Sequence, residues 1–257
     1  FYNGEQIHPH DHQIKAIFAA LKNKRQLFLS PTASGKSLVI YTIARNLLSE
    51  VNGKVLILVP TTSLVEQLTS DFKDYSLKNG FDVDRYVNKI YGFQGADKYS
   101  DKPVTITTWQ SIYKLPKEWF EQFDFVIGDE AHQFKAKSLT TILSNCINSK
   151  YRIGTTGTLD GTQTHRLVLE GLFGPVLQVA TTSQLVKEKH LANFRINCII
   201  LEHDEKNRRS SKEWNYEEEL QFLFSHEKRN RFLVDIAKGT RGNTLLLFSR
   251  VETHGEV

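Results

Sequence analysis

Two clusters of residues, far apart along the chain, have the types and spacing for chemistry. The first is Ser30-Pro-Thr-Ala-Ser-Gly-Lys-Ser37. A glycine-bearing loop between a strand and a helix can turn its backbone N–H groups inward, and the orphan amides and dipole of the helix start favour negative charge there. Thr32, Ala33, Ser34 and Gly35 are expected to present those amides to phosphate oxygens. Lys36 would reach the outer phosphates, and the Ser37 hydroxyl would hold Mg²⁺. Ser30 stands where the usual pattern has its first glycine, so the flanks must carry the reading. They do, because Leu27 to Leu29 are apolar and Leu38, Ile40, Ile43, Ala44 and Leu47 recur at helical spacing. The second cluster is Asp129-Glu-Ala-His132, which ends the apolar run Phe123 to Gly128. Two carboxylates at such a strand end are costly to bury without a cation. Asp129 is expected to hold Mg²⁺ through water, and Glu130 to polarise an attacking water. Lys36, Asp129, Glu130 and His132 thus form the expected catalytic set of an ATP site.

Other residues fall naturally around these two. Gln13 lies upstream on an amphipathic stretch that opens at Asp11, and its amide can both donate to and accept from the edge of adenine. Thr61 and Thr62 follow the strand-like run Lys54 to Val59 and open a helix, a second place able to grip phosphate. Ser63 with Glu66 has the spacing of a capping box. Thr156 and Thr158 follow the strand-like Tyr151 to Thr156, and their hydroxyls are placed to bond His132 and sense the state of the site.

The elements that must position these groups alternate between strand and helix. Runs at Leu27, Val55, Val87, Val104, Phe123 and Tyr151 read as strands, with helical periodicity between several of them. The expected fold is α/β, a doubly wound parallel sheet with its chemistry at the carboxyl ends of the strands. Residues 1–178 are expected to form this unit. Residues 179–257 would be a linker and the incomplete start of a second α/β unit. That start would comprise a strand near Phe194 to Leu201, a charged solvated loop over Glu202 to Lys212, a long helix from Tyr216 to Ile236, and a buried strand Asn243 to Phe248.

Bulk properties exclude several classes. Of 257 residues, 40% are hydrophobic and 24% charged, enough to bury a core in water. The longest clean aliphatic run, Val55 to Val59, is far too short to cross a bilayer. No charged-then-apolar leader opens the chain, so secretion is not expected. Cys146 and Cys198 are isolated, which fits unpaired thiols in a reducing compartment and no zinc site. The net charge of +4 is compatible with a polyanionic partner. The chain opens at Phe1 and contains no methionine, so it is read as a fragment or as a sequence whose methionines went unrecorded.

Taken together these stretches resemble superfamily 2 helicases. Gln13 matches the adenine-reading motif, Ser30 to Ser37 motif I, and Pro60 to Gln67 motif Ia. Thr107 to Ser111 matches a DNA-contacting motif of the first lobe, Asp129 to His132 spells the DEAH of motif II, and Leu245 to Arg250 looks like motif IV. Thr156-Gly-Thr158 stands in place of Ser-Ala-Thr, keeping both outer hydroxyls. The resemblance implies a RecA-like first lobe followed by the start of a second. It also implies ATP and Mg²⁺ as cofactors, and DNA-backbone contacts from Thr61, Thr62, Thr108 and Gln110. Within the superfamily the chain looks most like the phage UvsW helicases, a family that remodels branched DNA by reversing forks, unwinding R-loops and migrating junctions. That implies single-stranded or branched DNA and RNA–DNA hybrids as partners, no membrane, a monomeric motor, and the cytoplasm of a phage-infected bacterium. Motifs V and VI, with the family's arginine fingers, and the UvsW-type N-terminal domain have no counterpart in these residues. The competing readings are the motor subunit of a restriction enzyme and a small-molecule phosphotransferase.

Overall fold

The structure, a computed structural model, describes residues 5–51, 53–92, 98–134, 136–159, 163–193 and 196–247. They fall into two compact units, Phe1–Asn193 and Phe194–Val257. The first unit runs α1 (Asp11–Asn23), β1 (Arg25–Leu29), α2 (Lys36–Val51), β2 (Lys54–Val59), α3 (Thr62–Ser76), α4 (Val83–Tyr86) and β3 (Val87–Ile90). It continues with β4 (Val104–Thr108), α5 (Trp109–Ile112), α6 (Lys117–Glu121), β5 (Phe123–Gly128), α7 (Ala136–Asn145), β6 (Tyr151–Thr156), α8 (Gln163–Phe173), β7 (Val176–Gln178) and α9 (Thr182–Lys187). All seven strands are parallel, in the order β3-β4-β2-β5-β6-β1-β7.

A parallel sheet with helices on both faces buries both sides of its central strands, which is why β2 reads as an unbroken aliphatic run. Val55, Ile57 and Val59 face a core shared with α1, α2 and α3, while Leu56 and Leu58 face the core of α6, α7 and α8. All five are fully buried. Strand alternation thus divides one apolar stretch between two cores. Two glycines control the second core. Gly128 and Gly154 pair across β5 and β6. A Cβ on either would come within 3.0 Å of the Phe173 ring, so α8 rests its last aromatic on bare backbone. The strand ends that carry the acidic cluster are clamped at that point.

The first unit runs on past the boundary expected after residue 178. Leu185 of α9 is fully buried in it, and Thr181 caps α9 by accepting the N–H of Gln184. Strand β7, only three residues long, is too brief for periodicity to reveal. Helix α1 begins after His10, with Asp11 inside it, because the Gln13 side chain accepts the His10 N–H at 2.8 Å. Thr61 rather than Ser63 caps α3, and Glu66 turns outward to pair with Lys89 at 2.9 Å.

The second unit departs further from expectation. The charged stretch is in part a helix, α10 (Glu205–Ser210), capped by Asp204. The expected long helix is two, α11 (Tyr216–Ser225) and α12 (Glu227–Gly239), broken at His226, whose ring nitrogen accepts the Arg229 N–H and starts a new helix. Residues 196–201 and 243–247 form no strand and most of their side chains are exposed. A strand needs a ladder partner, and among the described residues this unit offers none. Phe194 and residues 248–250 of the motif IV match lie outside the described residues.

Candidate functional site

Strand β1 ends at Leu29, and the Ser30 N–H bonds the Thr156 carbonyl at the end of β6. From there the chain makes a tight loop into α2. Ser30, at the position of the usual glycine, is buried and donates its hydroxyl to Ser34 Oγ at 2.7 Å, closing the loop internally. Ala33 and Gly35 both have positive φ, 62° and 77°; a non-glycine residue held there is mildly strained, as occurs at ligand-holding loops. Lys36 reaches back across the loop. Its Nζ lies 3.4 Å from the Ser30 carbonyl and 2.8 Å from Glu130 Oε1.

Glu130 meets Lys36 because β6 alone separates β5 from β1 and because Glu130 is itself left-handed, φ 49°. Its second oxygen lies 3.4 Å from both the Gly157 N–H and His132 Nδ1. Asp129 lies half-buried beside this pair. Its Oδ1 accepts the Thr155 hydroxyl at 2.5 Å and the Glu130 N–H at 2.9 Å. Burial pushes the Asp129 carboxyl above its ordinary range, although Thr155 and Lys36 both favour the ionised form. Both hydrogen bonds fall on Oδ1, and the nearby lysine is already paired with Glu130. A desolvated carboxylate in that position suits a bound dication, so the donor set fits Mg²⁺.

His132 Nδ1 lies 2.7 Å from Thr156 Oγ1. The single hydroxyl proton of Thr156 goes to the Thr158 carbonyl at 2.6 Å, so Nδ1 carries the ring proton and donates. Thr158 enters through its backbone, not through the hydroxyl expected to touch His132.

Two expected ligands already have partners within the chain. The Gln13 amide is buried and spent within the chain: Nε2 donates to the Ser34 carbonyl at 3.0 Å and Oε1 accepts from His10. It braces the phosphate loop instead of offering a free edge to adenine, and the His12 ring joins it on the same carbonyl at 3.0 Å. The Ser37 hydroxyl meets Tyr75 OH on α3 at 2.8 Å. Sequence reasoning missed Thr155, His12 and Tyr75. Only Thr155 had a signal: Gly128 pairs with Gly154, so the next residues along, Asp129 and Thr155, are neighbours.

A separate cleft opens at the carboxyl ends of β2 and β4. It has a volume of about 390 Å³ and gathers Thr61, Thr62, Thr108 and Gln110 with Lys98. Thr61 caps α3, Thr108 Oγ1 bonds Ser111 Oγ at 2.8 Å, and Gln110 donates to the Pro60 carbonyl at 3.4 Å. Residues far apart in sequence thus form one polar wall, with the N-terminus of α3 pointing into it.

A seven-stranded parallel sheet with a phosphate loop after β1 and paired acids after β5 defines a RecA-like lobe of the superfamily 2 helicase class. The chain belongs to the family described as type III restriction enzyme, res subunit, whose model matches residues 6–161. It is similar to the ATP-dependent DNA helicase uvsW of Enterobacteria phage T4, 34% identical over 99% of this chain and 51% of that protein. It is also similar to the DNA 3'-5' translocase XPB2 of Sulfurisphaera tokodaii, 28% identical over 79% of this chain and 43% of that protein. The crystal structure of the UvsW helicase from bacteriophage T4 superposes with a TM-score of 0.63 at 39% identity, covering 69% of this chain and 62% of that one. The chain spans about half the length of the curated relatives it matches.

Proposed function

We propose that this chain is the first motor lobe, with the beginning of the second, of an ATP-dependent DNA helicase or translocase that remodels branched DNA. The division expected after residue 178 corresponds in this reading to the end of the lobe 1 sheet. The observation that carries the proposal is the meeting of Lys36, Glu130 and Asp129 at the ends of β1 and β5, on the same sheet edge as the polar cleft of Thr61, Thr62, Thr108 and Gln110. Phosphates would lie against the amides of Thr32, Ala33, Ser34 and Gly35, with Lys36 as their counter-charge. Asp129 and Ser37 would hold Mg²⁺, which supplies charge neutralisation at the phosphates when bound. Glu130 would take the proton of the attacking water, and His132, fixed by Thr156, would keep Glu130 oriented. The threonine-lined cleft contacts backbone and not base edges, which suits action on many sequences.

Similarity to UvsW along nearly the whole chain favours single-stranded or branched DNA and RNA–DNA hybrids as substrates, a monomeric motor, and the cytoplasm of a phage-infected bacterium. No helix of the described residues is long and apolar enough to cross a membrane. The second reading, a restriction-enzyme motor, rests on the family's description. The test is the ATPase activity of the full-length protein on single strands, forks and four-way junctions. Preferential stimulation by forks and junctions is expected. Stimulation by unbranched duplex alone favours the restriction motor, and indifference to DNA with a phosphorylated small-molecule product refutes both.

A further inference from the structure

Helix α3 links the two halves of the site. Its N-terminal end, Thr61 and Thr62, lines the nucleic-acid cleft. Fifteen residues at about 1.5 Å each carry it roughly 20 Å before it ends. Near that far end, Tyr75 OH lies 2.8 Å from Ser37 Oγ. The junction is stiff. Tyr41, one turn along α2 from Ser37, packs on Tyr75 and edge-on against Phe72, with ring centroids 5.5 and 5.0 Å apart. Its hydroxyl accepts a hydrogen bond from Asn79 at 2.8 Å, just beyond the end of α3.

A hydroxyl has one proton and two lone pairs, so whichever of the two hydroxyls donates, Ser37 Oγ keeps a lone pair for a cation. A hydroxyl that ligates a cation must point its proton away from it, and an outer partner that fixes that direction makes the oxygen a better ligand. We propose that Tyr75 is a positioning residue for Ser37, and that α3 thereby couples occupancy of the Thr61–Thr62 cleft to cation binding at Ser37. The proposal rests on the reading of Ser37 as a magnesium ligand. Binding coupled in this way is reciprocal: DNA that tightens Mg²⁺–nucleotide binding is itself tightened by it to the same factor.

The experiment uses full-length protein and equilibrium binding, not turnover. Affinity for a fluorescent ATP analogue is measured against Mg²⁺ concentration, with and without single-stranded DNA, in wild type, Tyr75→Phe and Ser37→Ala. Tyr75→Phe removes one oxygen and keeps the ring, so it preserves the packing against Tyr41. It is expected to raise the Mg²⁺ midpoint about 10-fold or more, the usual cost of losing an outer partner of a ligand. It should leave Mg²⁺-free nucleotide binding and nucleotide-free DNA binding unchanged, and bring the DNA-induced shift of the midpoint close to 1-fold. Wild-type behaviour in Tyr75→Phe, with Mg²⁺-dependence lost in Ser37→Ala, overturns the proposal and leaves the underlying site reading intact. Equal losses with and without Mg²⁺ also overturn it, because the effect would not pass through the cation. A Ser37→Ala protein that keeps its Mg²⁺ midpoint removes Ser37 as a ligand, and with it the site reading on which the proposal stands.

Discussion

The Thr155 hydroxyl offers the sharpest test of how Asp129 is kept charged. It is one of two donors to the Asp129 carboxylate, at 2.5 Å, and it is 2% exposed, so no water can replace it. Thr155→Val substitutes a methyl of nearly the same shape and keeps a β-branched residue in β6, so strand and packing survive. What is lost is a hydrogen bond to an ionised acceptor, worth about 1.5–3 kcal/mol. Among the described residues, only the Glu130 N–H then remains on the carboxylate. The penalty falls on the ionised form, the form proposed to hold a dication, and about 1.4 kcal/mol corresponds to tenfold in affinity. The Mg²⁺ concentration needed for half-maximal binding of a fluorescent nucleotide should therefore rise by about 10- to 150-fold. DNA affinity without nucleotide should not change, because the proposed nucleic-acid cleft stands at β2 and β4. An unmoved Mg²⁺ midpoint in a folded Thr155→Val protein would refute the placement of the cation at Asp129.

Three further outcomes are expected. Glu130→Gln should hold nucleotide at least as tightly as wild type, since Lys36 loses a competing charge, while turnover falls by about 10²–10⁴; undiminished turnover would remove Glu130 as the base. Burial raises the Asp129 carboxyl in the nucleotide-free fold, so its contribution to stability is complete below the ordinary carboxylate pKa and is lost as pH rises through the raised value. Asp129→Asn should then unfold at a higher temperature than wild type, with a margin that widens upward from about pH 4 and levels off; a margin that widens on acidification would contradict the sign. If about four phosphates are gripped, the log–log salt slope for single-stranded DNA should be near −3, at roughly −0.7 per contact, and a salt-insensitive affinity would exclude this footprint.

Much of this was legible because the chemistry sits at strand ends, and strands announce themselves. Val55 to Val59 is buried on both faces and therefore aliphatic throughout, and Asp129 follows such a run abruptly. Lys36 and Glu130 could be paired in advance because a phosphate loop and acids after parallel strands share one edge. Side-chain direction could not be read so easily. Gln13 and Ser37 each have a polar group that satisfies itself within the chain, on Ser34 and Tyr75, and nothing in their spacing reveals which way they turn. The second unit failed for another reason. Asn243 to Leu247 has strand composition, but strand formation depends on neighbours, and composition does not report whether a neighbour is there.

The contact between Lys36 and Glu130 leaves the resting cavity close to neutral, with a cation and an anion 2.8 Å apart where the proposed function would place an outer phosphate. An arriving ligand therefore competes with a carboxylate, not with water, for the ammonium. Weakly charged visitors would gain little from that exchange, whereas a polyphosphate would bring enough charge to displace the incumbent and in doing so release the carboxylate proposed to deprotonate water. After cleavage the incumbent stands ready to reclaim its partner, which disfavours lingering products. Selectivity for the fuel, restraint in its absence and clearance of the spent form can thus share one reversible exchange of counter-ions.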